Sequence, residues 1–192
     1  MNRNIILAGV GGQGLLALAA VIGEAARALN LDVKQAEVHG MAQRGGVVQS
    51  HLRYSDLPLH ANLIRRGTAD LILALEPMEA LRYLPYLSPT GAVVSSVSPL
   101  KNIPDYPDTS TVLHEIEKQP THRLVRAGEL AKQAGTLRAE NMVMLGAGAS
   151  FLDLPEDALI RTIESFFASK GRSVIETNIR AFRLGLASSQ AE

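Results

Sequence analysis

The chain has 192 residues with 19 basic and 19 acidic side chains, and 46% of its residues are hydrophobic. That length and apolar content suffice for a buried core, and the balanced charge gives no indication of binding to nucleic acid or to a membrane surface. Because the chain has no cysteine, disulfides, thiolate zinc sites, a cysteine nucleophile and iron–sulfur ligation by this chain are excluded. No signal peptide or membrane-spanning apolar run is recognisable, so we expect a cytoplasmic protein.

The first predicted strand covers residues 5–8, which are all apolar, as expected of a strand buried on both faces of a parallel sheet. Residues 15–29 are rich in alanine and leucine, and they predict a helix that ends at Asn30. A second strand is predicted at residues 32–38. Together these elements predict one βαβ unit in the first 38 residues.

The middle of the chain continues to alternate between strands and helices. Further strands are predicted at residues 47–54, 71–75 and 92–95, with weaker strand signals at 111–114 and 123–126. Pro77 begins a helix that runs to about residue 84. Residues 96–110 contain three prolines and predict an irregular loop of a length that often has a function.

From residue 127 onward apolar residues recur at spacings of three and four, which predicts helices. These helices cover residues 127–134, 139–151, 155–168 and 174–186. The fold class is therefore α/β, a doubly wound, mostly parallel Rossmann-like sheet with a helical C-terminal third. We expect a single domain over residues 1–192, with alternating β and α elements in 1–126 and a helical cap in 127–192.

Between the first strand and the first helix lies the sequence GVGGQG, residues 9–14. Gly9, Gly11 and Gly14 form a G-x-G-x-x-G pattern, whose backbone N–H groups and positive helix end typically bind a pyrophosphate. Glu37 lies about twenty residues downstream, where such a site holds the ribose hydroxyls. One interpretation is thus a self-sufficient NAD(P)-binding oxidoreductase or a nucleotide-binding module.

Other features of the glycine segment disagree with that interpretation. Gly12 is an extra glycine, and the chain shows no hydride-transfer constellation. A phosphate-loop NTPase fails, since Leu15 and Leu16 stand where lysine and a hydroxyl residue are required. Alternatively, the glycines serve a close strand-to-helix packing and bind nothing.

A second glycine-rich segment, EVHGMAQRGG at residues 37–46, joins the second strand to the third, so we expect it at the same edge of the sheet. Its glycines allow close backbone approach, and Arg44 offers a fixed positive charge to a carboxylate or phosphate, unless the segment is a solvated turn. His39 is a candidate for carboxylate binding or proton transfer, with a structural hydrogen bond as the alternative. The other histidines lack metal-ligand spacing, so we predict no metal site.

These two segments together resemble the gamma-type subunits or domains of 2-oxoacid:ferredoxin oxidoreductases. Within that family the chain is most similar to the small beta subunit of indolepyruvate ferredoxin oxidoreductase. The resemblance continues through VVQSHLR at residues 47–53 and NMVMLGA at residues 141–147, so it covers most of the chain in order. Two long motifs at the right separation are far more specific than one G-x-G-x-x-G.

This resemblance implies a subunit, inactive alone, of a complex that oxidatively decarboxylates a 2-oxoacid, transfers the acyl group to coenzyme A and passes electrons to ferredoxin. A larger partner would carry thiamine diphosphate, magnesium and iron–sulfur clusters, none of them bound by this chain alone. No catalytic residue is then assigned to this chain. The residues predicted to form a ligand or interface loop are Gly9, Gly11, Gly12, Gln13, Gly14, Glu37, His39, Gly40, Met41, Gln43, Arg44, Gly45 and Gly46.

Overall fold

The computed structural model describes residues 1–39, 46–101 and 103–189. Within these residues a six-stranded sheet is flanked by seven α-helices. The strands are β1 (Asn2–Val10), β2 (Asp32–His39), β3 (Val47–Ser55), β4 (Ala69–Ala74), β5 (Leu87–Ser96) and β6 (His122–Val125). The helices are α1 (Leu15–Ala28), α2 (Pro77–Arg82), α3 (Thr109–Glu117), α4 (Ala127–Ala134), α5 (Glu140–Gly148), α6 (Glu156–Phe167) and α7 (Arg172–Ser188).

The strand order is β2-β3-β1-β4-β5-β6. Neighbouring pairs among β1, β4, β5 and β6 are parallel, whereas β3 is antiparallel to both β1 and β2. The predicted α/β class is confirmed, with helices on both faces of the sheet. The predicted βαβ unit needs one correction, because β3 is inserted between β1 and β2 and these two strands do not pair.

Residues 5–8 are fully apolar because β1 lies in the middle of the sheet and is covered on both faces. Successive side chains of a strand point to opposite faces. Ile5 and Leu7 pack in the larger core with α1 and the C-terminal helices α4 to α7. Ile6 and Ala8 pack in a smaller core with α2 and α3.

Helices α5 and α7 touch backbone to backbone at two glycines. A Cβ atom added to Gly146 would lie 2.0 Å from the carbonyl oxygen of Phe182, and one added to Gly185 would lie 1.9 Å from that of Val143. Both distances are shorter than any real contact, so only glycine permits this approach. The crossing fixes the helical layer that covers one face of the sheet.

The predicted strand at residues 111–114 is wrong, since these residues lie within α3. The carboxylate of Asp108 caps this helix by accepting hydrogen bonds from the backbone N–H groups of Ser110 and Thr111 at 3.1 and 3.3 Å. Val112 and Ile116, four residues apart, are then buried on one side. The predicted strand at 123–126 is confirmed as β6.

The described residues between β5 and α3 form neither helix nor strand, so the loop predicted at 96–110 is present, but Ser96 belongs to β5 and Thr109 and Ser110 belong to α3. None of the helices in the described part of the chain is long and apolar enough to cross a membrane.

Candidate functional site

The glycine loop, residues 9–14, leaves the carboxyl end of β1 and enters α1. Gly12 and Gly14 have φ angles of 103° and 81°, which lie in the left-handed region that favours glycine. Gly14 is the N-cap of α1, where no side chain caps the helix and no acidic residue lies in its first turn. No side chain in the first turn of α1 therefore balances the partial positive charge at this helix end.

The side chain of Gln13 closes the loop from inside. Its carbonyl oxygen accepts a hydrogen bond from the backbone N–H of Val10 at 2.7 Å, and its amide nitrogen donates to the carbonyl of Leu75 at 3.0 Å. A Cβ added to Gly9 would lie 2.9 Å from the same carbonyl oxygen of Gln13. Gln13 thus ties the end of β1 to the residue after β4, and Gly9 makes room for it.

The second glycine-rich segment meets the first at Gly46. The backbone N–H of Gly11 donates to the carbonyl of Gly46 at 2.8 Å. This contact places the start of β3 at the same edge of the sheet as the glycine loop. Of the other predicted residues, His39 ends β2, and the rest lie outside the described residues, namely Gly40, Met41, Gln43, Arg44 and Gly45.

Glu37 is exposed on β2, opposite Ser50 of β3, and its carboxylate accepts a hydrogen bond from the side chain of Gln35. In a dinucleotide-binding fold the acidic residue ends the strand beside β1. Here β3 occupies that place, and strands in a sheet are about 4.8 Å apart, so β2 lies about 10 Å from β1. This position does not match the dinucleotide fingerprint that the sequence suggests.

A cavity of about 610 Å³ opens beside the glycine loop. It is lined by Gly11, Gly12, Gln13, Gly14, Leu100, Leu137, Arg138 and Glu140. Leu100 comes from the loop between β5 and α3, Leu137 and Arg138 come from the turn that leads into α5, and Glu140 is the first residue of α5. Sequence reasoning did not single out these four, because only the tertiary fold brings them to the loop.

Asn141 joins α5 to the glycine loop. It is 5% exposed, and its side-chain amide donates to the carbonyl of Gly14 at 3.2 Å. A Cβ added to Gly14 would lie 2.6 Å from this amide nitrogen, so the contact requires glycine. Asn141 opens the NMVMLGA segment of the family resemblance, and that segment was the signal that could have identified it.

Among the described residues that line the cavity, Glu140 is the one carboxylic acid. Its side chain is half-buried, and burial raises the pKa of its carboxyl, with the charge of Lys132 acting in the opposite direction. Arg138, a cation of the same lining, is exposed. Among the described residues no group of three or more histidine, aspartate or glutamate side chains could hold a metal ion.

The loop that carries Leu100 is anchored by Glu76, which is 1% exposed. One carboxylate oxygen accepts hydrogen bonds from the backbone N–H of Leu100 at 3.2 Å and from the hydroxyl of Tyr106. The other accepts from the backbone N–H of Glu79 at 3.0 Å. Burial and the bond to Glu76 raise the pKa of the Tyr106 hydroxyl. Glu76 thereby holds this loop at the edge of the cavity.

A glycine loop at the carboxyl end of a parallel strand, with helices on both faces of the sheet, gives the chain a Rossmann-like α/β fold. Residues 4–188 match the family described as pyruvate ferredoxin/flavodoxin oxidoreductase. The chain belongs to this family. This membership confirms the resemblance found in the sequence and the prediction that the chain is a subunit of an oxidoreductase.

Curated relatives match nearly the whole chain. It is 40% identical over 194 residues to the indolepyruvate oxidoreductase subunit IorB of Methanothermobacter thermautotrophicus, covering 96% of each chain. The IorB subunit of Archaeoglobus fulgidus is 36% identical, with 96% of this chain and 94% of the relative covered. The 2-oxoglutarate synthase subunit KorC of A. fulgidus is 27% identical, with 95% of this chain and 85% of the relative covered.

Solved structures share the fold. The 2-oxoglutarate:ferredoxin oxidoreductase of Magnetococcus marinus, with 2-oxoglutarate, coenzyme A and succinyl-CoA bound, matches with a TM-score of 0.81 and 25% identity. The match covers all of this chain and 31% of that longer chain. The gamma subunit of the keto/oxoacid ferredoxin oxidoreductase of Geobacter sulfurreducens matches over 99% of both chains with a TM-score of 0.72 and 23% identity.

Proposed function

We propose that this chain is the small subunit of an indolepyruvate or related 2-oxoacid:ferredoxin oxidoreductase. The complex would oxidatively decarboxylate the 2-oxoacid, transfer the acyl group to coenzyme A and pass the electrons to ferredoxin. The observation that carries this proposal is the 40% identity to an IorB subunit over 96% of both chains. The chain alone would be inactive, as part of a heteromeric complex.

The composition of the chain supports a division of labour between subunits. Iron–sulfur clusters in proteins are held mainly by cysteine thiolates, and this chain has none. The clusters, thiamine diphosphate and magnesium would therefore reside on a larger partner subunit. In the M. marinus enzyme the region similar to this chain is 31% of a longer chain, which supports an origin as one part of a larger assembly.

Within the complex we assign the glycine loop and its cavity to an interface with the partner or with a ligand at that interface. Two contacts support this role. Gln13 and Asn141 hold the loop from inside through side-chain hydrogen bonds, while no atom of the described residues lies within 4 Å of a Cβ added to Gly12. A loop held in place by side-chain hydrogen bonds suits recognition, because it loses little conformational entropy on binding. We also propose that residues 1–192 form one cytoplasmic domain that contacts neither nucleic acid nor membrane.

The alternative function is a self-sufficient NAD(P)-binding oxidoreductase or nucleotide-binding module. It is favoured by the G-x-G-x-x-G pattern, which begins in the last residues of β1 and ends at the N-cap of α1. It is disfavoured by the position of Glu37, which is separated from β1 by β3. A test must therefore distinguish a chain that needs a partner from one that binds a dinucleotide by itself.

The decisive experiment is purification of the tagged chain from its host without oxygen. We expect a cysteine-rich, thiamine-dependent subunit to co-elute, with iron–sulfur absorption and coenzyme A-dependent reduction of ferredoxin by indolepyruvate. Mass spectrometry would identify the partner, and other 2-oxoacids would test the substrate. A colourless chain that elutes alone and binds NAD(P) would refute the proposal in favour of the alternative.

A further inference from the structure

A second cavity lies in the helical layer that covers one face of the sheet. Its volume is about 630 Å³, within the range of about 300–1,000 Å³ that small-molecule sites have. We propose that this cavity binds an aromatic carboxylate whose ring carries a hydrogen-bond donor. Such binding is a property of the chain by itself and does not depend on the proposed function.

The cavity is enclosed by α1, the turn between α4 and α5, the first residues of α5, and the connection from α6 into α7. Its lining consists of Ala17, Gly135, Thr136, Arg138, Ala139, Asn141, Phe167, Lys170, Ser173, Val174, Thr177 and Asn178. Neither aspartate nor glutamate occurs among these described lining residues. The charge of the lining therefore favours an anionic ligand over a neutral or cationic one.

The positive charge of the lining comes from two different segments, through Arg138 and Lys170. Within the described part of the chain neither side chain forms an ion pair with a carboxylate. An anionic group that enters the cavity thus displaces no internal ion pair, and the planar guanidinium of arginine matches the two oxygens of a carboxylate. Because Arg138 also lines the cavity beside the glycine loop, Lys170 is the better position at which to test this one.

The walls between the charged and polar groups are apolar. They are formed by Ala17, Ala139, Phe167 and Val174. The ring of Phe167 packs edge-on against that of Phe166, with 5.0 Å between the ring centres. Val174 is 37% exposed, so a ligand body that covers it removes apolar surface from water. An aromatic body suits this wall, because a second ring gains an additional favourable contact with a phenylalanine ring.

Asn178 supplies a hydrogen-bond acceptor at the cavity. The residue is 6% exposed, and its Nδ2 donates to the carbonyl of Val174 at 2.8 Å. Its Oδ1 accepts no hydrogen bond from the described residues, yet it is not one of the polar atoms sealed off from solvent. Since Asn178 is part of the lining, this oxygen is accessible to a ligand in the cavity. A ring N–H can satisfy it as well as a water molecule does.

The test is isothermal titration calorimetry of the full chain with indoleacetate, which combines an aromatic ring, a ring N–H and one carboxylate. Two analogues each lack one of these features: indoleacetamide lacks the charge, and N-methylindoleacetate lacks the ring N–H. We expect a dissociation constant of about 1 mM or lower for indoleacetate. Each analogue should bind about fivefold more weakly, the effect of losing one hydrogen bond or charge contact.

Lys170→Gln tests whether the cavity is where the carboxylate binds. Lys118→Gln is the control, because it removes the same charge from an exposed side chain directly after α3, on the other face of the sheet. We expect Lys170→Gln to bind indoleacetate about three- to fivefold more weakly than the wild type and to bind indoleacetamide equally well. Lys118→Gln should match the wild type with both ligands.

Four outcomes would overturn the proposal. If the wild type does not bind indoleacetate, the cavity is not a site for aromatic carboxylates. The same holds if indoleacetamide binds as tightly as indoleacetate, or if Lys170→Gln and Lys118→Gln bind indoleacetate equally well. If N-methylindoleacetate binds as tightly as indoleacetate, Asn178 accepts no hydrogen bond from the ring, and the requirement for a donor is wrong. None of these results changes what co-elutes with the tagged chain.

Discussion

The amide of Gln13 bonds two backbone groups, one at the end of β1 and one directly after β4. Replacement with alanine would leave the N–H of Val10 and the carbonyl of Leu75 without this partner. Each buried polar group left unsatisfied costs about 1 to 3 kcal/mol. We therefore expect Gln13→Ala to lower the free energy of unfolding by about 2 kcal/mol or more, measured by urea denaturation.

The control for this prediction is Gln133→Ala, at an exposed position of α4. It should change the free energy of unfolding by less than about 0.5 kcal/mol, since it removes no internal bond. Equal effects of the two substitutions would show that Gln13 has no structural role in the loop.

His51 makes the stability of the protein depend on pH. It is 3% exposed, and its Nδ1 accepts a hydrogen bond from the backbone N–H of Ile64 at 3.0 Å, which requires the neutral ring. Burial lowers the pKa of this histidine below its ordinary value of 6.5. The unfolded chain then binds the proton more readily, so this contribution to stability is complete above pH 6.5 and is lost as pH falls toward the folded pKa.

Urea denaturation between pH 8 and pH 5 measures this effect. We expect His51→Asn, whose side-chain oxygen can replace Nδ1 as acceptor, to be less sensitive to acid than the wild type. His60→Asn is the matched control, because His60 is exposed. If the stability of His51→Asn depends on pH in the same way as that of the wild type, His51 is not the source of the pH dependence.

At the residue scale, the sequence predicted the parts of the site that are local. The glycines between β1 and α1 follow from a pattern within six residues. Leu100, Arg138 and Glu140 did not follow, because each is far from the loop in sequence and reaches it through tertiary packing. Glu76 was likewise unpredictable, since its carboxylate bonds Leu100 and Tyr106 across a long loop.

At the scale of elements, strong periodicity predicted most strands and helices, while pairing escaped prediction. The sequence of β3 does not indicate that this strand inserts between β1 and β2, because strand order depends on long-range contacts. Residues 111–114 illustrate a local error. Their β-branched and apolar residues indicate a strand, but the Asp108 cap and the packing of α3 against the sheet produce a helix.

The contact between α5 and α7 gives a prediction about elements. Gly146→Ala would place a methyl group 2.0 Å from a backbone oxygen, so α5 and α7 must move apart. We expect a loss of about 3 kcal/mol in the free energy of unfolding, or failure to fold. Gly23→Ala in α1 is the control, since its Cβ would contact Val33 at an ordinary 3.7 Å, and better helix propensity should stabilise it by about 0.5 to 1 kcal/mol.

Both variants can be compared by urea denaturation of the purified chain. A Gly146→Ala variant as stable as the wild type would mean that the two helices are free to separate. In that case the close crossing would not be what holds the helical layer on the sheet.

At the scale of the whole molecule, the glycine loop, the end of β2 and the start of β3 share one edge of the sheet. Glu37 is exposed at this edge, on a strand that has a neighbour on one side only. If the edge faces a larger subunit, the charge of Glu37 contributes to docking and hardly at all to folding. If the chain is a dinucleotide-binding protein, the same charge contributes to the affinity for the cofactor.

Glu37→Gln therefore separates the two functions. We expect Glu37→Gln to leave the melting temperature unchanged, and we expect neither the wild type nor the variant to bind NAD(H). The affinity of the variant for the larger subunit should fall by on the order of fivefold, because an exposed charge at the rim of an interface contributes about 1 kcal/mol. Calorimetry with NAD(H) and co-elution with the partner measure these effects, and Glu164→Gln, exposed on α6, is the charge-matched control. If the wild type binds NAD(H) and Glu37→Gln weakens this binding, the assignment is reversed. In that case β2 would supply the acidic residue of a dinucleotide-binding site despite the inserted β3.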